Sequence, residues 1–312
     1  MKNKIKIIDA KNIYFEKIIY QLKERTKKGY SRAIDLFIKF ALEHRNKYLD
    51  DVSIEEVRTF LNELATSTSK QYANKVYSIV KSFYQKLSDY NYYQGIIPFK
   101  PYMLFKLEKK VKYYLQDNEI QRIINLYNRK IERSKDPFPY LRNKVIFLIL
   151  LTSGLRCNEC LNLKINDVDL KNKTILIRNT KTYKERLVPI NQNILEEIKK
   201  YLEIRSLNNK WDTDSLFFSD KNKIYKYDSF RRSLYRIAIK LKINKNHKLF
   251  PHNLRHKFAS DWIKYNSNMF KLKVILGHSS IKTTEIYVNI SDADICEENK
   301  NGKIKNVSKY KY

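Results

Sequence analysis

The segment LFPHNLRHKF, from Leu249 to Phe258, places an arginine between two histidines in a stretch without a carboxylate. His252 and His256 are four residues apart, a spacing that puts both imidazoles on one face of a helix. Arg255 supplies a forked donor that matches the oxygens of a phosphate. The zinc motif H-E-x-x-H would need glutamate after the first histidine, where this chain has Asn253. The segment therefore favours a phosphate site over a metal site.

Four further fragments contain side chains of the same kinds. SGLR places Arg156 at the end of a buried helix, TKTYKERLVPI places Lys181 in a hairpin tip, LGHSS places His278 after a helix-ending glycine, and TTEIYV places Tyr287 on a short helix. Each fragment alone has an ordinary explanation, because a helix-end arginine caps carbonyls, a loop lysine is solvated and a tyrosine at helical spacing packs in a core. Cys157 and Cys160 are interpreted as core cysteines, since a zinc site needs about four ligands.

Taken together, these side chains suit one reaction that needs no cofactor. Displacement at a phosphodiester concentrates negative charge on the non-bridging oxygens, and guanidinium and imidazolium donors can replace a metal ion there. A lysine or histidine can protonate the leaving sugar oxygen. A tyrosine hydroxyl can attack as the nucleophile and hold one DNA end as a covalent ester. Rejoining then needs no ATP, and we expect neither a cofactor nor a metal.

The charge of the chain favours a polyanionic partner. Lys and Arg number 63 against 33 Asp and Glu, a formal net charge of +30, and nucleic acid is the commonest partner of such a chain. AT-rich coding also enriches lysine, so charge alone does not settle the partner. No apolar run reaches the ~20 residues of a membrane span. The start, MKNKIKIIDA, lacks a signal peptide, and three cysteines argue against a secreted disulfide framework. We expect a cytoplasmic, nucleoid-associated protein.

Apolar periodicity predicts a mainly α fold in two domains. Residues 1–105 are predicted to be helical, with a capping box at Ser53 and Glu56 and a third helix from Tyr72 to Leu87 whose other face shows Lys75, Lys81 and Lys86. That face is either solvated or laid along DNA phosphates. Residues 106–114 are predicted to be a basic linker that includes Lys109 and Lys110.

Residues 115–290 are predicted to form a second, mostly helical domain with a small antiparallel sheet. A buried helix runs from about Tyr140 to Ser153, and Thr174–Arg178 with Arg186–Ile190 form a hairpin. Further helices follow, and residues 291–312 form a basic tail.

The motifs and their order resemble the tyrosine recombinase (phage integrase) family, and more closely its bacterial Xer-type members, from roughly Leu115 to Ile290. The family's T-G-L-R is matched by Ser153-Gly154-Leu155-Arg156, with Glu159 three residues later. Its hairpin lysine before K-E-R-L-V-P is matched by Lys181, its H-x-L-R-H by residues 252–256, its L-G-H by residues 276–278 and its T-T-x-x-Y by residues 283–287.

The resemblance implies a two-domain clamp of a helical core-binding (SAM-like) domain and a catalytic domain around double-stranded DNA. It implies a site-specific recombinase that works through a 3′-phosphotyrosyl intermediate, with Arg156, Lys181, His252, Arg255 and His278 as catalytic residues and Tyr287 as nucleophile. Glu159 is expected to support Arg156. His252 is a candidate general base, and His256 is interpreted as structural or supporting. Lys75, Lys81, Lys86, Lys109 and Lys110 are candidate DNA contacts.

The same resemblance implies short inverted-repeat core sites and a tetramer on DNA, formed by this chain alone or with a second recombinase, with an accessory protein as a further partner.

Two features depart from the family: Thr180 and Thr182 flank the hairpin lysine where glycines are common, and the tail shows no clear amphipathic helix. Because the extension before the first clear helix is short, we expect no additional arm-binding domain. The alternatives are a type IB topoisomerase-like enzyme and a catalytically silent DNA-binding protein of the same fold. Chromosome or plasmid resolution and mobile-element integration both remain open as biological roles.

Overall fold

The chain divides into two compact units, Met1–Val111 and Lys112–Tyr312. A computed structural model describes residues 4–108, 114–178, 185–207, 213–219, 223–243, 249–266 and 268–277. Within that part of the chain, no helix is long and apolar enough to cross a membrane.

The N-terminal unit is built from four α-helices. They are α1 (Ile7–Ile13), α2 (Glu24–Glu43), α3 (Ile54–Ser67) and α4 (Lys70–Asp89), with a π-helical turn at Tyr14–Ile18 and 3-10 turns at Leu49–Asp51 and Pro101–Met103. The helix and turn before Glu24 lie in a stretch of the predicted helical domain where the sequence pattern indicated no individual helix. Ile7, Ala10 and Tyr14 are each fully buried there, so this segment contributes to the core.

Local signals and aromatic packing explain the helices of this unit. The capping box predicted at the start of α3 is confirmed: the Ser53 hydroxyl accepts from the Glu56 backbone N–H at 3.1 Å, and Glu56 Oε2 accepts from the Ser53 N–H at 2.7 Å. The Phe37 ring of α2 packs edge-on against the rings of Phe60 and Tyr84, with centroids 5.7 and 6.0 Å away.

The lysines of α4 do not share one face. With 3.6 residues per turn, Lys75 and Lys86 lie about 20° apart around the helix axis, while Lys81 lies about 120° from Lys75. Lys75 is exposed, whereas Lys81 is half-buried with its Nζ 5.8 Å from the centre of the buried Tyr77 ring. Lys86 is half-buried as well. The three lysines thus occupy two sides of α4, and their predicted contact with DNA stays a prediction.

The second unit combines helices with a small antiparallel sheet, which confirms the predicted mainly α fold. Its helices are α5 (Asp117–Arg133), α6 (Phe138–Ser153), α7 (Cys157–Leu161), α8 (Leu195–Leu207), α9 (Tyr227–Lys240), α10 (Pro251–Asn266) and α11 (Met269–Leu276). The strands are β1 (Val168–Asp169), β2 (Thr174–Ile177) and β3 (Arg186–Pro189), in the order β1-β2-β3. The hairpin of β2 and β3 was predicted, and β1 was not because two residues carry no alternation.

Helix α6 is the centre of this unit. Every side chain from Val145 to Leu150 is fully buried, as expected for a helix that is apolar all round. Even Lys144 is buried, and its Nζ pairs with Glu197 Oε2 of α8 at 2.8 Å. Helices α5, α8 and α10 all pack against α6. This packing holds the end of α6 at Ser153 in place, and the predicted site residue Arg156 follows three residues later.

Candidate active site

The turn that follows α6 requires glycine at Gly154. Its φ of +64° lies in the left-handed region, and an added Cβ would stand 2.3 Å from Phe258 Cδ1 of α10. A side chain at this position is therefore excluded both by backbone conformation and by packing. The turn redirects the chain so that Leu155 is buried and Arg156 becomes the N-cap residue of α7.

Glu159 fixes Arg156 in two ways. Its Oε2 accepts from the Arg156 backbone N–H at 2.9 Å, and its Oε1 accepts from Arg156 Nη1 at 2.8 Å. The carboxylate is 8% exposed, whereas 36% of the arginine side chain remains accessible. Burial alone would raise the pKa of Glu159, but the hydrogen bond and charge of Arg186, together with hydrogen bonds from Arg156, hold the pKa below its ordinary value. The guanidinium of Arg156 is thus oriented by a charged carboxylate while part of its surface stays open.

Arg255 joins the end of α6 to the end of α11. It is 2% exposed, and its Nη1 and Nη2 donate to the backbone oxygens of Gly154 and Leu276, each at 2.8 Å. Each terminal nitrogen of a guanidinium carries two hydrogens, so each of these bonds uses one of them. On the same helix, the His252 ring packs edge-on against the His256 ring, with centroids 4.3 Å apart. His252 is exposed and His256 is half-buried.

Three arginines bind the last turn of α11, each at a different backbone oxygen. Ile275 O accepts from Arg186 Nε at 2.9 Å, Leu276 O from Arg255 Nη2 at 2.8 Å, and Gly277 O from Arg156 Nη2 at 3.0 Å. The final carbonyls of a helix lack partners within it, and its C-terminal end carries partial negative charge. The three guanidiniums donate hydrogen bonds to these carbonyls and place positive charge beside the helix end. They also fix the backbone directly before His278.

Sequence reasoning missed Arg186. Its Nη2 donates to Glu159 Oε2 at 2.7 Å, and its side chain is 10% exposed. A signal was present, because Arg186 pairs with Ile177, which is 1% exposed, so both side chains belong to the buried face of the hairpin. An arginine at such a position needs hydrogen-bond acceptors for its guanidinium, and a carboxylate is the strongest of them. The result is an arginine cluster of Arg156, Arg186 and Arg255 at the end of α11, in which Glu159 binds the first two.

The structure therefore brings together three of the predicted site residues, Arg156, Glu159 and Arg255, and places His252 and His256 on the helix that carries Arg255. The predicted Lys181, His278 and Tyr287, and the candidate DNA contacts Lys109 and Lys110, lie outside the described residues. Cys157 is half-buried and Cys160 buried, and burial raises the pKa of the Cys157 thiol to about 12. Both cysteines behave as core residues.

The second unit thus combines helices and a three-stranded sheet with a cluster of three guanidiniums that carbonyls and one carboxylate hold in place. The model of the phage integrase family matches residues 113–294, and that of the phage integrase N-terminal SAM-like domain matches residues 13–93. The chain belongs to the phage integrase family, and it is a tyrosine recombinase that resembles the Xer type.

Individual relatives agree with this assignment. Tyrosine recombinase XerA of Saccharolobus solfataricus is 35% identical over 193 residues, which cover 62% of this chain and 57% of that protein. The chain thus matches little more than half the length of that relative. Tyrosine recombinase XerC of Thermodesulfovibrio yellowstonii is 28% identical over 274 residues, 85% of each chain.

Solved structures share the fold. The XerH site-specific recombinase, in a post-cleavage complex with a palindromic difH substrate, aligns with a TM-score of 0.74 at 21% identity, over 87% of this chain and 78% of that chain. The Tn1549 transposon integrase, in complex with transposon right end DNA, aligns with a TM-score of 0.73 at 19% identity, over 96% of this chain and 100% of that chain.

Proposed function

We propose that the protein is a site-specific recombinase that cuts and rejoins double-stranded DNA through a 3′-phosphotyrosyl intermediate, without metal or ATP. The observation that carries this proposal is the arginine cluster. Arg156 and Arg186 both donate to the Glu159 carboxylate, and all three guanidiniums donate to consecutive backbone oxygens at the end of α11. Such a cluster offers preorganised cationic donors for the charge that develops on a phosphodiester during displacement.

In the proposed reaction, Arg156 and Arg255 bind the non-bridging oxygens of the scissile phosphate. Glu159 keeps the forked face of Arg156 turned in one direction, so less rotamer freedom is lost when the phosphate binds. His252 lies exposed on α10, three residues before Arg255, and is proposed to accept the proton of the attacking phenol.

The remaining steps are assigned through the family motifs. The hydroxyl oxygen of Tyr287 forms a bond to phosphorus as the bond from phosphorus to the 5′-oxygen breaks, and Lys181 gives its proton to that leaving oxygen. His278 supplies a further donor to the phosphate. A free 5′-hydroxyl and a 3′-phosphotyrosyl ester result, and attack by a 5′-hydroxyl reverses the step.

Double-stranded DNA is the proposed partner, supported by the net charge of +30 and by related structures determined as DNA complexes. The proposed sites are short inverted repeats bound by four subunits, either all of this chain or shared with a second recombinase. Lys75 and Lys86 are proposed phosphate contacts of the N-terminal unit. We expect most of the affinity to come from such contacts and to fall steeply with salt.

The test is formation of a covalent protein–DNA adduct in EDTA. Wild type and Tyr287→Phe are incubated with a library of AT-rich genomic and element-end fragments, and covalent complexes are separated on denaturing gels. We expect an adduct with wild type alone. Two DNA molecules that carry the site found in this adduct should then be recombined by the protein. Relaxation of any plasmid without a preferred site would instead support a type IB topoisomerase-like enzyme. DNA binding without an adduct would support a silent DNA-binding protein.

A further inference from the structure

Arg186 lies where three elements of the second unit meet: the start of β3, the first turn of α7 and the last turn of α11. We propose that Arg186 is a positioning residue for strand cleavage, which sets the orientation of Arg156 through Glu159 and fixes the end of α11 from which the chain continues to His278. This inference rests on the proposed function, because it assigns Arg186 to the same site.

The first contact of Arg186 is with the carboxylate that orients Arg156. Its Nη2 lies 2.7 Å from Glu159 Oε2 and its Nη1 lies 3.4 Å from Oε1, so the guanidinium faces both oxygens. Arg156 uses the same two oxygens, through its backbone N–H and its Nη1. A carboxylate held from two sides cannot rotate freely, and the guanidinium that depends on it keeps a single orientation.

The second contact of Arg186 is with the end of α11. Its Nε donates to Ile275 O at 2.9 Å, and a Cβ added to Gly277 would stand 3.0 Å from Arg186 Nη1 and 3.1 Å from its Cζ. The guanidinium therefore packs directly against Gly277, whose own oxygen accepts from Arg156 at 3.0 Å. One side chain thus sets the separation between Glu159 and the last turn of α11.

These contacts assign Arg186 a positioning role. Its Nη2 donates to Glu159 and its Nε to Ile275 O, so it acts on the site through the groups that hold Arg156 and the end of α11. Lysine cannot reproduce the arrangement, because an ammonium is a point donor without the planar fork that reaches Glu159 and Ile275 together.

The experiment measures single-turnover adduct formation by the full chain on the DNA duplex recovered in the adduct test. The variants are Arg186→Met, which removes charge and donors, and Arg186→Lys, which keeps the charge. The matched control is Arg205→Met. Arg205 is also a buried arginine of this unit, and its Nη2 donates to two backbone oxygens, of Thr213 and Ser215, at 2.6 and 3.0 Å. DNA affinity and Tm are measured for all three.

We expect Arg186→Met to slow adduct formation by about 100-fold, the effect typical of an ångström-scale misplacement of a reacting group. DNA affinity should stay within about threefold, since phosphate contacts elsewhere dominate it. Arg205→Met should lower Tm and react at the wild-type rate. A wild-type rate in Arg186→Met, or an equal loss in Arg205→Met, would overturn the inference and leave the proposed function intact.

The pH dependence of the rate of adduct formation distinguishes positioning through Glu159 from a purely structural role of Arg186. Burial favours the protonated form of Glu159, and Arg186 is the largest of the influences that oppose it. In Arg186→Met the pKa of Glu159 should rise, so the acid-side loss of rate should begin at higher pH than in wild type. Arg186→Lys should keep the acid limb near wild type with a reduced rate at neutral pH. Identical profiles in all variants would exclude positioning through Glu159, and absence of any wild-type adduct would remove the proposed function and this inference together.

Discussion

Glu159→Gln tests whether the arginine cluster depends on a buried negative charge. The amide has the size of the carboxylate, but one of its two oxygens becomes an NH₂ that faces guanidinium N–H groups. The Glu159 and Arg186 side chains are 8% and 10% exposed, and breaking a buried ion pair costs about 3–5 kcal/mol. Because Arg156 is 36% exposed and partly hydrated, we expect Glu159→Gln to lower the free energy of unfolding by the lower end of that range, about 3 kcal/mol.

The assay is urea unfolding followed by tryptophan fluorescence. The chain has two tryptophans, Trp211 and Trp262, and both belong to the second unit, so the signal reports on the unit that holds Glu159. Glu196→Gln is the control, since Glu196 pairs with Lys199 at 2.9 Å but is 67% exposed. An exposed pair of this kind contributes at most about 0.5 kcal/mol.

The difference in the free energy of unfolding between wild type and Glu159→Gln should become smaller as the pH falls. The folded pKa of Glu159 lies below its ordinary value of 4.5, so the carboxylate contributes stability that is fully present above about pH 4.5 and is lost as pH falls through the folded pKa. The free-energy gap should therefore narrow in acid. A gap no larger than that of Glu196→Gln at pH 7, or one that is constant down to acid pH, would refute the reasoning.

Two further predictions follow from the fold. Gly154→Ala should destabilise the second unit by about 2–4 kcal/mol in the same urea assay, from the positive φ and from overpacking against Phe258; a loss below about 1 kcal/mol would contradict the packing described. Replacing Lys75 and Lys86 together by alanine should weaken DNA binding in a filter or anisotropy assay and reduce the slope of log K against log salt by about 2, whereas Lys81→Ala should change that slope little. Equal slopes for the double and single variants would mean that these lysines do not contact phosphates.

The sequence predicted the residues that local rules place. The apolar run of α6, the glycine that ends it and the arginine two residues later follow from helix periodicity and C-cap geometry. The position of Arg255 on a helix beginning at Pro251 follows in the same way. These features depend on neighbours within a few residues, so a single sequence contains enough information for them.

The missed features depend on contacts between distant segments. Arg186 reaches a carboxylate 27 residues before it and a carbonyl 89 residues after it, and no local pattern encodes either distance. Lys81 was assigned to the face of α4 opposite the apolar residues, and only the folded chain shows its ammonium 5.8 Å from the centre of the Tyr77 ring. Strand β1 has two residues and exists because Val168 and Asp169 pair with β2. Packing determines each of these, and it becomes visible only in the folded chain.

The most direct test of the central claim is to identify the amino acid that becomes linked to DNA. The covalent adduct is digested with nuclease and protease, and peptides that carry a residual nucleotide are sequenced by mass spectrometry. The chain has 24 tyrosines, so the position found is a demanding test. We predict a nucleotide linked through its 3′-phosphate to Tyr287 alone. A nucleotide linked to another tyrosine or to a serine would contradict this prediction, and so would linkage through a 5′-phosphate.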